Sequence, residues 1–321
     1  MTKRRTLLGL AAGVAFSALT AGSALAADVT LKLHQFLPPQ ANVPKYILDV
    51  WADQVEEASE GRIEIERYHG MALGGAPPEL MDQAIDGVAD IVWTVIGYTP
   101  GRFPSTEVFE LPFMVADARA ASYAYWKMFE EHMKDSEFAD VHVLATHVHG
   151  PGMFHTSDPV EVPADLEGMK IRGGSRMVND LLERVGATPV GMPVTGIPEG
   201  LSKGVIDGTT LYTLTFALAM NKAAYEGMPD DLRAILDENS GLELSVFMGG
   251  TQQDYDDPAR ATALDLGNNI VTVSEEDAAA WGEIVNPIYE SWVADMDGKG
   301  IDGQALIDQA RALMAEYEAN N

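Results

Sequence analysis

The sequence contains no cysteine and few basic residues, and these two absences narrow the chemistry open to the protein. Without cysteine there is no disulfide framework, no thiolate nucleophile and no zinc-ribbon or iron–sulfur site. Lysine and arginine number 21 against 49 aspartates and glutamates, which leaves a formal net charge of −28. Because a chain this acidic repels polyanions, nucleic acid is excluded as a partner.

The remaining composition is that of a globular protein. Of the 321 residues, 46% are hydrophobic and 22% are charged, which excludes general disorder. This length predicts two domains of average size or one large one, with enough chain to bury a substantial core.

The N-terminus has the pattern of a secretory signal peptide over residues 1–26. Basic residues at positions 3–5 precede an apolar stretch from Leu7 to Leu19, and Ala24-Leu25-Ala26 has the small residues of a cleavage site. The apolar stretch is too short for a permanent span, and no later stretch approaches about 18 apolar residues. We therefore expect a periplasmic mature chain without membrane insertion, exported by the general or the twin-arginine route.

Strand and helix patterns alternate along the mature chain. Val29–His34 has the period of two that is typical of a strand, Pro44–Glu57 has helical spacing, and Arg62–Tyr68 alternates again. Further strands are predicted at Ala89–Val95 and Val141–His149, and a helix at Met177–Val185. This order predicts an α/β fold, with a largely parallel sheet and helices on its faces.

Seven short motifs occur in an order that is typical of one protein family. They are Leu73-Gly74-Gly75, Asp86-Gly87-Val88-Ala89-Asp90, Phe103-Pro104-Ser105-Thr106-Glu107-Val108, Glu110-Leu111-Pro112-Phe113, Leu166-Glu167-Gly168-Met169-Lys170-Ile171-Arg172, Gly186-Ala187-Thr188-Pro189-Val190 and Leu201-Ser202-Lys203-Gly204-Val205-Ile206-Asp207-Gly208. The series resembles the periplasmic solute-binding proteins of TRAP transporters, the DctP-like family. The resemblance implies a two-lobe periplasmic binding protein of type II-like α/β fold, with hinge strands and a long connecting helix.

The same resemblance implies a division of the chain and a function. Lobe I is expected to comprise residues 27–148 and about 211–275, and lobe II residues 149–210 and about 276–321. The two lobes would close over a small organic acid and deliver it to the membrane permease subunits of a TRAP transporter. We expect a monomer that binds without catalysis and without a cofactor or metal.

Arg172 is the predicted anchor for the ligand. A guanidinium holds a carboxylate through two parallel charge-assisted hydrogen bonds. The following Gly173-Gly174 permits close approach of the backbone. In the family, this arginine is the main anchor of an organic-acid substrate. The alternative is a surface arginine paired with Glu167 or Asp165.

The rest of the pocket follows from the resemblance, which brings the ends of the first strands to the cleft. The expected substrate-binding residues besides Arg172 are Phe36, Trp93, Thr94, Tyr98, His149 and Tyr212. Aromatic walls with a few polar groups suit small ligands, although plain core packing is the alternative for each ring. For His149, which shares a strand face with His147, a hydrogen bond in the cleft, a structural role and a metal ligand all remain open.

The sequence departs from the family in two places. Many members carry a second arginine where this chain has Gly150–Phe154, and its absence here favours a monocarboxylate. After Gly208 the family has a loop and helix that wall the site. In this chain Thr209-Thr210 leads directly into Leu211–Asn221, which resembles the strand that returns to lobe I, so we expect the wall segment to be missing.

Other classes of function have less support in the sequence. There is no Gly-x-Ser-x-Gly elbow, no phosphate-binding glycine loop and no His-Glu-x-x-His motif. A secreted hydrolase that uses a carboxylate pair stays an alternative, as does a binding protein that signals to a membrane receptor.

Overall fold

The computed structural model describes residues 27–211 and 213–321, so the signal peptide predicted for residues 1–26 lies outside the described residues. The strands are β1 Val29–His34, β2 Ile63–Tyr68, β3 Ile91–Val95, β4 Val141–Val148, β5 Met153–Thr156, β6 Lys170–Gly173, β7 Thr188–Gly191, β8 Gly208–Leu211 and β9 Thr215–Asn221. The helices are α1 Asp49–Ala58, α2 Leu80–Ile85, α3 Ala118–Met128, α4 Arg176–Arg184, α5 Ile197–Ser202, α6 Lys222–Glu226, α7 Asp230–Glu238, α8 Leu242–Asp254, α9 Asp256–Asp265, α10 Glu275–Gly298 and α11 Gly303–Asn320.

The larger sheet has five strands in the order β2-β1-β3-β9-β4. β1 pairs in parallel with β2 and β3, whereas β9 runs antiparallel between β3 and β4. All residues of β3 are buried, as expected for a strand that is covered on both faces. The helices α1, α2 and α3 contact strands β2, β3 and β4, respectively. The carboxyl ends of β1, β3 and β4 therefore lie at one edge of the sheet.

The smaller sheet has four strands in the order β5-β8-β6-β7. β6 is parallel to β7 and β8, and β5 pairs antiparallel with β8 at the edge. The edge strands β5 and β7 are partly exposed, whereas Ile171, Arg172 and Gly173 of β6 are buried. The two sheets and their helices form the expected two-lobe α/β fold.

Three segments link the sheets. Two are the connections from β4 to β5 and from β8 to β9, and the third is α10, which has 24 residues. Near the start of α10, Trp281 stacks on Phe154 of β5 with ring centroids 5.7 Å apart. Further along, Trp292 donates from Nε1 to Glu107 of the segment after β3 at 3.2 Å. Because α10 contacts both lobes, it is the long connecting helix of this fold.

The C-terminal helix α11 packs against α3, which covers the larger sheet. Tyr123 of α3 donates from its hydroxyl to Glu316 Oε1 at 2.9 Å, and its ring lies 5.3 Å from that of Tyr317. The resemblance predicts that residues 276–321 belong to lobe II, and these contacts argue against that prediction for α11. The remaining lobe boundaries stay predictions.

Several element boundaries differ from the sequence prediction. The helix expected at Pro44–Glu57 is a π-helical turn over Pro44–Leu48 followed by α1. The returning strand expected from Leu211 begins at Thr215, because Leu211 still pairs with β5 as part of β8. None of the described helices is long and apolar enough to cross a bilayer.

Candidate ligand-binding site

Arg172 lies in β6 near its carboxyl end, and only 1% of it is exposed. Its Nε donates to the carbonyl oxygen of Met192 at 2.8 Å, and its Nη1 donates to that of Thr210 at 3.2 Å. Its Nη2 lies 3.5 Å from the hydroxyl oxygen of Tyr98. Met192 follows β7 and Thr210 belongs to β8, so the neighbours of β6 on both sides hold the guanidinium.

Arg172 has no carboxylate partner within residues 27–211 and 213–321, where the arginine ion pairs involve other side chains. The alternative of a surface pair with Glu167 or Asp165 is therefore wrong. Burial lowers the pKa of Arg172, and the nearby Tyr98 opposes this shift. A buried charge is costly unless it is paired. The guanidinium is thus suited to receive an anion at the carboxyl end of β6.

Tyr98 joins the arginine to the larger sheet. Its hydroxyl accepts a hydrogen bond from the backbone N–H of Val194 at 2.9 Å and faces Arg172. Its ring lies tilted against Phe36, with centroids 5.8 Å apart. Burial raises the pKa of Tyr98, although Arg172 opposes the shift, so the phenol is neutral at physiological pH.

A stack of aromatic rings forms the lobe I side of the site. Phe36, which follows β1, stacks on Trp93 with centroids 5.0 Å apart, and Trp93 stacks on Phe216 of β9 at 5.0 Å. His147 of β4 lies parallel to Phe216 at 4.7 Å. It also accepts a hydrogen bond at Nε2 from Trp93 Nε1 at 2.9 Å. Burial lowers the pKa of His147 to about 3, so the whole wall is uncharged.

His149 lies at the end of the same wall. Its ring meets Phe216 edge-on with centroids 5.4 Å apart, and its Nδ1 is 3.2 Å from the carbonyl oxygen of Gly150. Burial lowers its pKa to about 4, and the charge of Arg172 acts in the same direction. With Nδ1 directed at the carbonyl oxygen of Gly150, a neutral His149 has Nε2 as an acceptor. No cluster of three metal-ligating side chains occurs among the described residues.

The structure does not bring Thr94 into this site. Thr94 is buried in β3 opposite Ala217, with 3% exposed. Successive side chains of a strand point to opposite faces, so Thr94 lies on the face away from the stack around Trp93. Tyr212 lies outside the described residues.

The comparisons with known proteins agree on one family. The chain matches the family described as bacterial extracellular solute-binding protein, family 7, over residues 34–215 and 209–295. A TRAP solute-binding protein from Rhodoferax ferrireducens T118, solved with copurified benzoate, is 44% identical with a TM-score of 0.88, covering 90% of this chain and 98% of that one. This chain belongs to the TRAP solute-binding proteins of family 7.

Two further relatives of this TRAP solute-binding protein are similar to it over most of the chain but less identical in sequence. A marine metagenome TRAP solute-binding protein specific for aromatic acid ligands, solved with 3-hydroxybenzoate, is 39% identical with a TM-score of 0.88, covering 91% of this chain and 99% of that one. The C4-dicarboxylate-binding periplasmic protein DctP of Rhodobacter capsulatus is 23% identical over 315 residues, covering 90% of this chain and 94% of that protein.

The family match consists of two parts that meet at the connection from β8 to β9. Its two parts overlap at residues 209–215. The alignment with DctP runs over 315 residues although it includes only 90% of this chain, so DctP has residues at positions where this chain has none. In this TRAP solute-binding protein Thr213 and Leu214 are buried at the crossing, each with 5% exposed. The absence of the wall segment after Gly208 stays a prediction.

Several groups of the site are not among the residues predicted from the sequence. Phe216 and His147 complete the aromatic stack, and the carbonyl groups of Met192 and Thr210 hold Arg172. The alternation of β9 predicts Phe216 as an inward residue, but the same alternation describes ordinary core positions. Backbone carbonyls leave no signal in side-chain identity. Their role follows only from the pairing of β6 with β7 and β8.

Gly174, the second residue after the arginine, leaves room for two neighbouring side chains. A Cβ atom at Gly174 would lie 3.0 Å from both Arg172 Nη2 and Leu214 Cδ1. Contacts this short require the neighbours to move, so Gly174 permits the close approach of the crossing segment to the guanidinium.

Proposed function

We propose that this TRAP solute-binding protein is a periplasmic receptor that captures a small aromatic monocarboxylate and delivers it to the membrane permease. The observation that carries the proposal is a buried guanidinium with no acidic partner in the described chain, set beside a neutral aromatic wall. Tyr98 contacts both Arg172 and Phe36. An acid whose carboxylate is attached directly to a ring fits these two neighbouring surfaces.

The charges near the site favour a single carboxylate. Arg172 is the cation that we assign to the ligand, and Gly150–Phe154 contains no second arginine. Arg102 is engaged by Asp82 at 2.6 Å, and Arg176 is engaged by Glu107 and Asp295. A second carboxylate would be buried without a partner, at a cost of several kcal/mol.

Two relatives support an aromatic ligand. The structures that are 44% and 39% identical to this chain hold benzoate and 3-hydroxybenzoate. The stack of Phe36, Trp93 and Phe216 supplies the flat apolar surface on which an aromatic ring packs.

The burial of Arg172 suggests how the ligand enters. Because only 1% of this residue is exposed, a ligand reaches the guanidinium when the lobes part. The connections from β4 to β5 and from β8 to β9, together with α10, are the places where such a motion bends the chain. Ligand binding then shifts the equilibrium toward the closed form, which docks on the permease.

The groups that surround the arginine are carbonyl oxygens, a phenol and aromatic rings. These groups suit a protein that binds its ligand without a reaction. The alternative hydrolase needs two acids that face a glycosidic bond, and the described contacts of Arg172 contain no such pair. The alternative of a sensor that signals to a membrane receptor uses the same site. Uptake of labelled benzoate by cells with and without the permease genes distinguishes transport from signalling.

A thermal-shift screen of the mature protein tests the proposal. Benzoate and 3-hydroxybenzoate are expected to raise the midpoint of unfolding more than C4-dicarboxylates such as succinate. A ligand at roughly 100 times its Kd stabilises the fold by about 2.7 kcal/mol. If succinate stabilises the protein and the aromatic acids do not, the assignment of a monocarboxylate is wrong and a second cation faces the site.

A further inference from the structure

A buried glutamate lies where the two lobes meet behind the candidate site. Glu110, at the end of the 3₁₀-helical segment Pro104–Glu110, is only 1% exposed. Its Oε1 accepts hydrogen bonds from the backbone N–H of Thr215 at 3.0 Å and from the Thr215 hydroxyl at 2.8 Å. The Ser175 side chain lies close to this carboxylate, since both border the same point beside Gly97. Its Oε2 is buried and has no partner among the described residues.

The partners of Glu110 belong to different parts of the clamp. Glu110 follows β3 of the larger sheet, and Thr215 is the first residue of the crossing strand β9. Ser175 is the N-cap of α4 and lies three residues after Arg172 of the smaller sheet. A Cβ atom at Gly97 would lie 2.7 Å from Ser175 Cβ and 3.3 Å from Glu110 Oε1. Glu110 is therefore enclosed by both lobes and by the hinge.

The space beside Glu110 is small. A cavity of about 10 Å³ lies between the lobes and is lined by Glu110, Glu107 and Arg176, among others. A cavity of this size holds about one water molecule. The carboxyl group is therefore nearly dry in this closed arrangement, and separation of Ser175 from Glu110 would admit bulk water.

Among the residues that the structure describes, few charged groups lie near Glu110. Glu107 on the same segment is a like charge, and it is paired with Arg176 of α4. Tyr125 of α3 faces Glu110 with a phenol whose pKa is raised by burial. Burial raises the pKa of Glu110 to about 7, whereas the neighbouring Ser175 and the hydrogen bonds from Thr215 act in the opposite direction.

We propose that Glu110 takes up a proton when the lobes close on the ligand, so that capture of the organic acid is linked to proton binding. The inference rests on the proposed function, since it needs a ligand that closes the clamp. In the open form, water solvates the carboxylate and restores its ordinary acidity. Because the closed form binds the proton more tightly, lower pH favours closure and tightens ligand binding.

His149 acts in the opposite direction. Burial in the closed site lowers its pKa to about 4, so an opened, hydrated His149 loses a proton on closure. The pH dependence of the wild-type protein is the sum of both effects. The contribution of Glu110 is therefore measured as the difference between the wild type and Glu110→Gln, which keeps the size of the side chain and removes its titration.

Calorimetry with benzoate at about pH 6 and pH 8, in buffers of different ionisation enthalpy, tests the inference. At pH 6 the wild type should take up about 0.9 proton more per ligand than Glu110→Gln. The ratio of wild-type affinity to variant affinity should rise roughly tenfold from pH 8 to pH 6. Glu137→Gln is the matched control, since Glu137 is a partly buried glutamate that accepts from the backbone N–H of Ser105 within lobe I. It should behave as the wild type does.

A second variant keeps the carboxyl group. Thr215→Val removes a hydroxyl donor to Glu110 and should move the midpoint of the pH profile upward, whereas a merely structural contact would leave that midpoint unchanged. Equal proton uptake by the wild type and Glu110→Gln, with a constant affinity ratio, overturns the inference while the proposed function stands. Failure of benzoate to bind the wild type at either pH overturns both.

Discussion

The two sheets contribute opposite kinds of surface to the candidate site. The lobe I side is a stack of uncharged rings, in which Trp93 and His147 are fully buried and hydrogen-bonded to each other. The lobe II side is a single guanidinium, Arg172, held by carbonyl oxygens. The rings of lobe I also belong to its hydrophobic core, whereas Arg172 is a charge that the surrounding fold does not neutralise. Substitutions on the first side should therefore alter stability and binding together, and substitutions on the second side should chiefly alter binding.

The largest expected effect is that of Trp93→Ala on the lobe I side. Removal of a buried tryptophan from a packed stack should lower the free energy of unfolding by about 3–5 kcal/mol. Chemical denaturation of the variant without ligand measures this loss. Leu266→Ala, at a side chain with 77% exposed, is the control and should change stability by no more than about 0.5 kcal/mol. A similar small loss for Trp93→Ala would mean that the aromatic wall is separate from the core.

The second effect is the loss of stability at low pH that His147, also on the lobe I side, should cause. The pKa of His147 is lowered to about 3 in the fold, from 6.5 in an unfolded chain. Because the unfolded state binds the proton more readily, stability falls as the pH drops below 6.5, by about 1.4 kcal/mol per pH unit.

His147→Gln tests this effect through denaturation curves between neutral pH and about pH 4.5. The variant should lose less stability than the wild type over this range. The comparison must be made between variants, because Glu110, whose pKa is raised to about 7 while it is buried between the lobes, contributes a slope of opposite sign between 4.5 and 7 in the closed form. Parallel pH profiles for the two proteins would contradict the buried, neutral state of His147.

Arg172→Lys tests the lobe II side. Lysine keeps the positive charge but loses the planar fork, so benzoate binding should weaken by at least roughly 1.5 kcal/mol. Titration calorimetry measures the change. Arg184→Lys is the matched control, since Arg184 lies on α4 and pairs with Asp180 at 3.1 Å. Unaltered affinity in Arg172→Lys would remove the arginine from the site.

The smallest expected effect concerns the crossing between the two sides. Insertion of the wall segment of a benzoate-binding relative between Leu211 and Tyr212 should tighten benzoate binding severalfold, because it adds contact area and excludes water from Arg172. An insertion at Gly208 would instead interrupt β8, which pairs with β5 and β6 there. If the natural chain already binds benzoate with submicromolar affinity, another element seals the site.

Much of the fold follows from local patterns. The alternation at Val29–His34 predicts β1 with its observed bounds, because the same side chains face the core at every second position. The ends of strands do not follow from local pattern where pairing with a neighbouring strand decides them. Leu211 has a strand-like sequence context on both sides, and its pairing with Met153 assigns it to β8 and not to β9.

The candidate site likewise has one part that the local sequence predicts and one part that depends on strand pairing. Arg172 is predictable, because a guanidinium followed by two glycines after a strand is an unusual local arrangement with a clear chemical use. The absence of its acidic partner is not predictable, since any of the chain's many carboxylates had the chemistry to pair with it. That the described residues leave the charge to carbonyl oxygens is a result of how β7 and β8 flank β6.

The sequence by itself determined the class of the protein, the order of its strands and helices, and the identity of its buried cation, because these depend on residue type and local period. Only the tertiary structure decided which rings stack, as for Trp93 and Phe216, and which glutamate lies between the lobes. Trp93 and His147 are 54 positions apart in the chain, and their hydrogen bond exists because β9 inserts between β3 and β4. Contacts of that kind depend on strand order and register, which the pattern of neighbouring residues in the sequence does not specify.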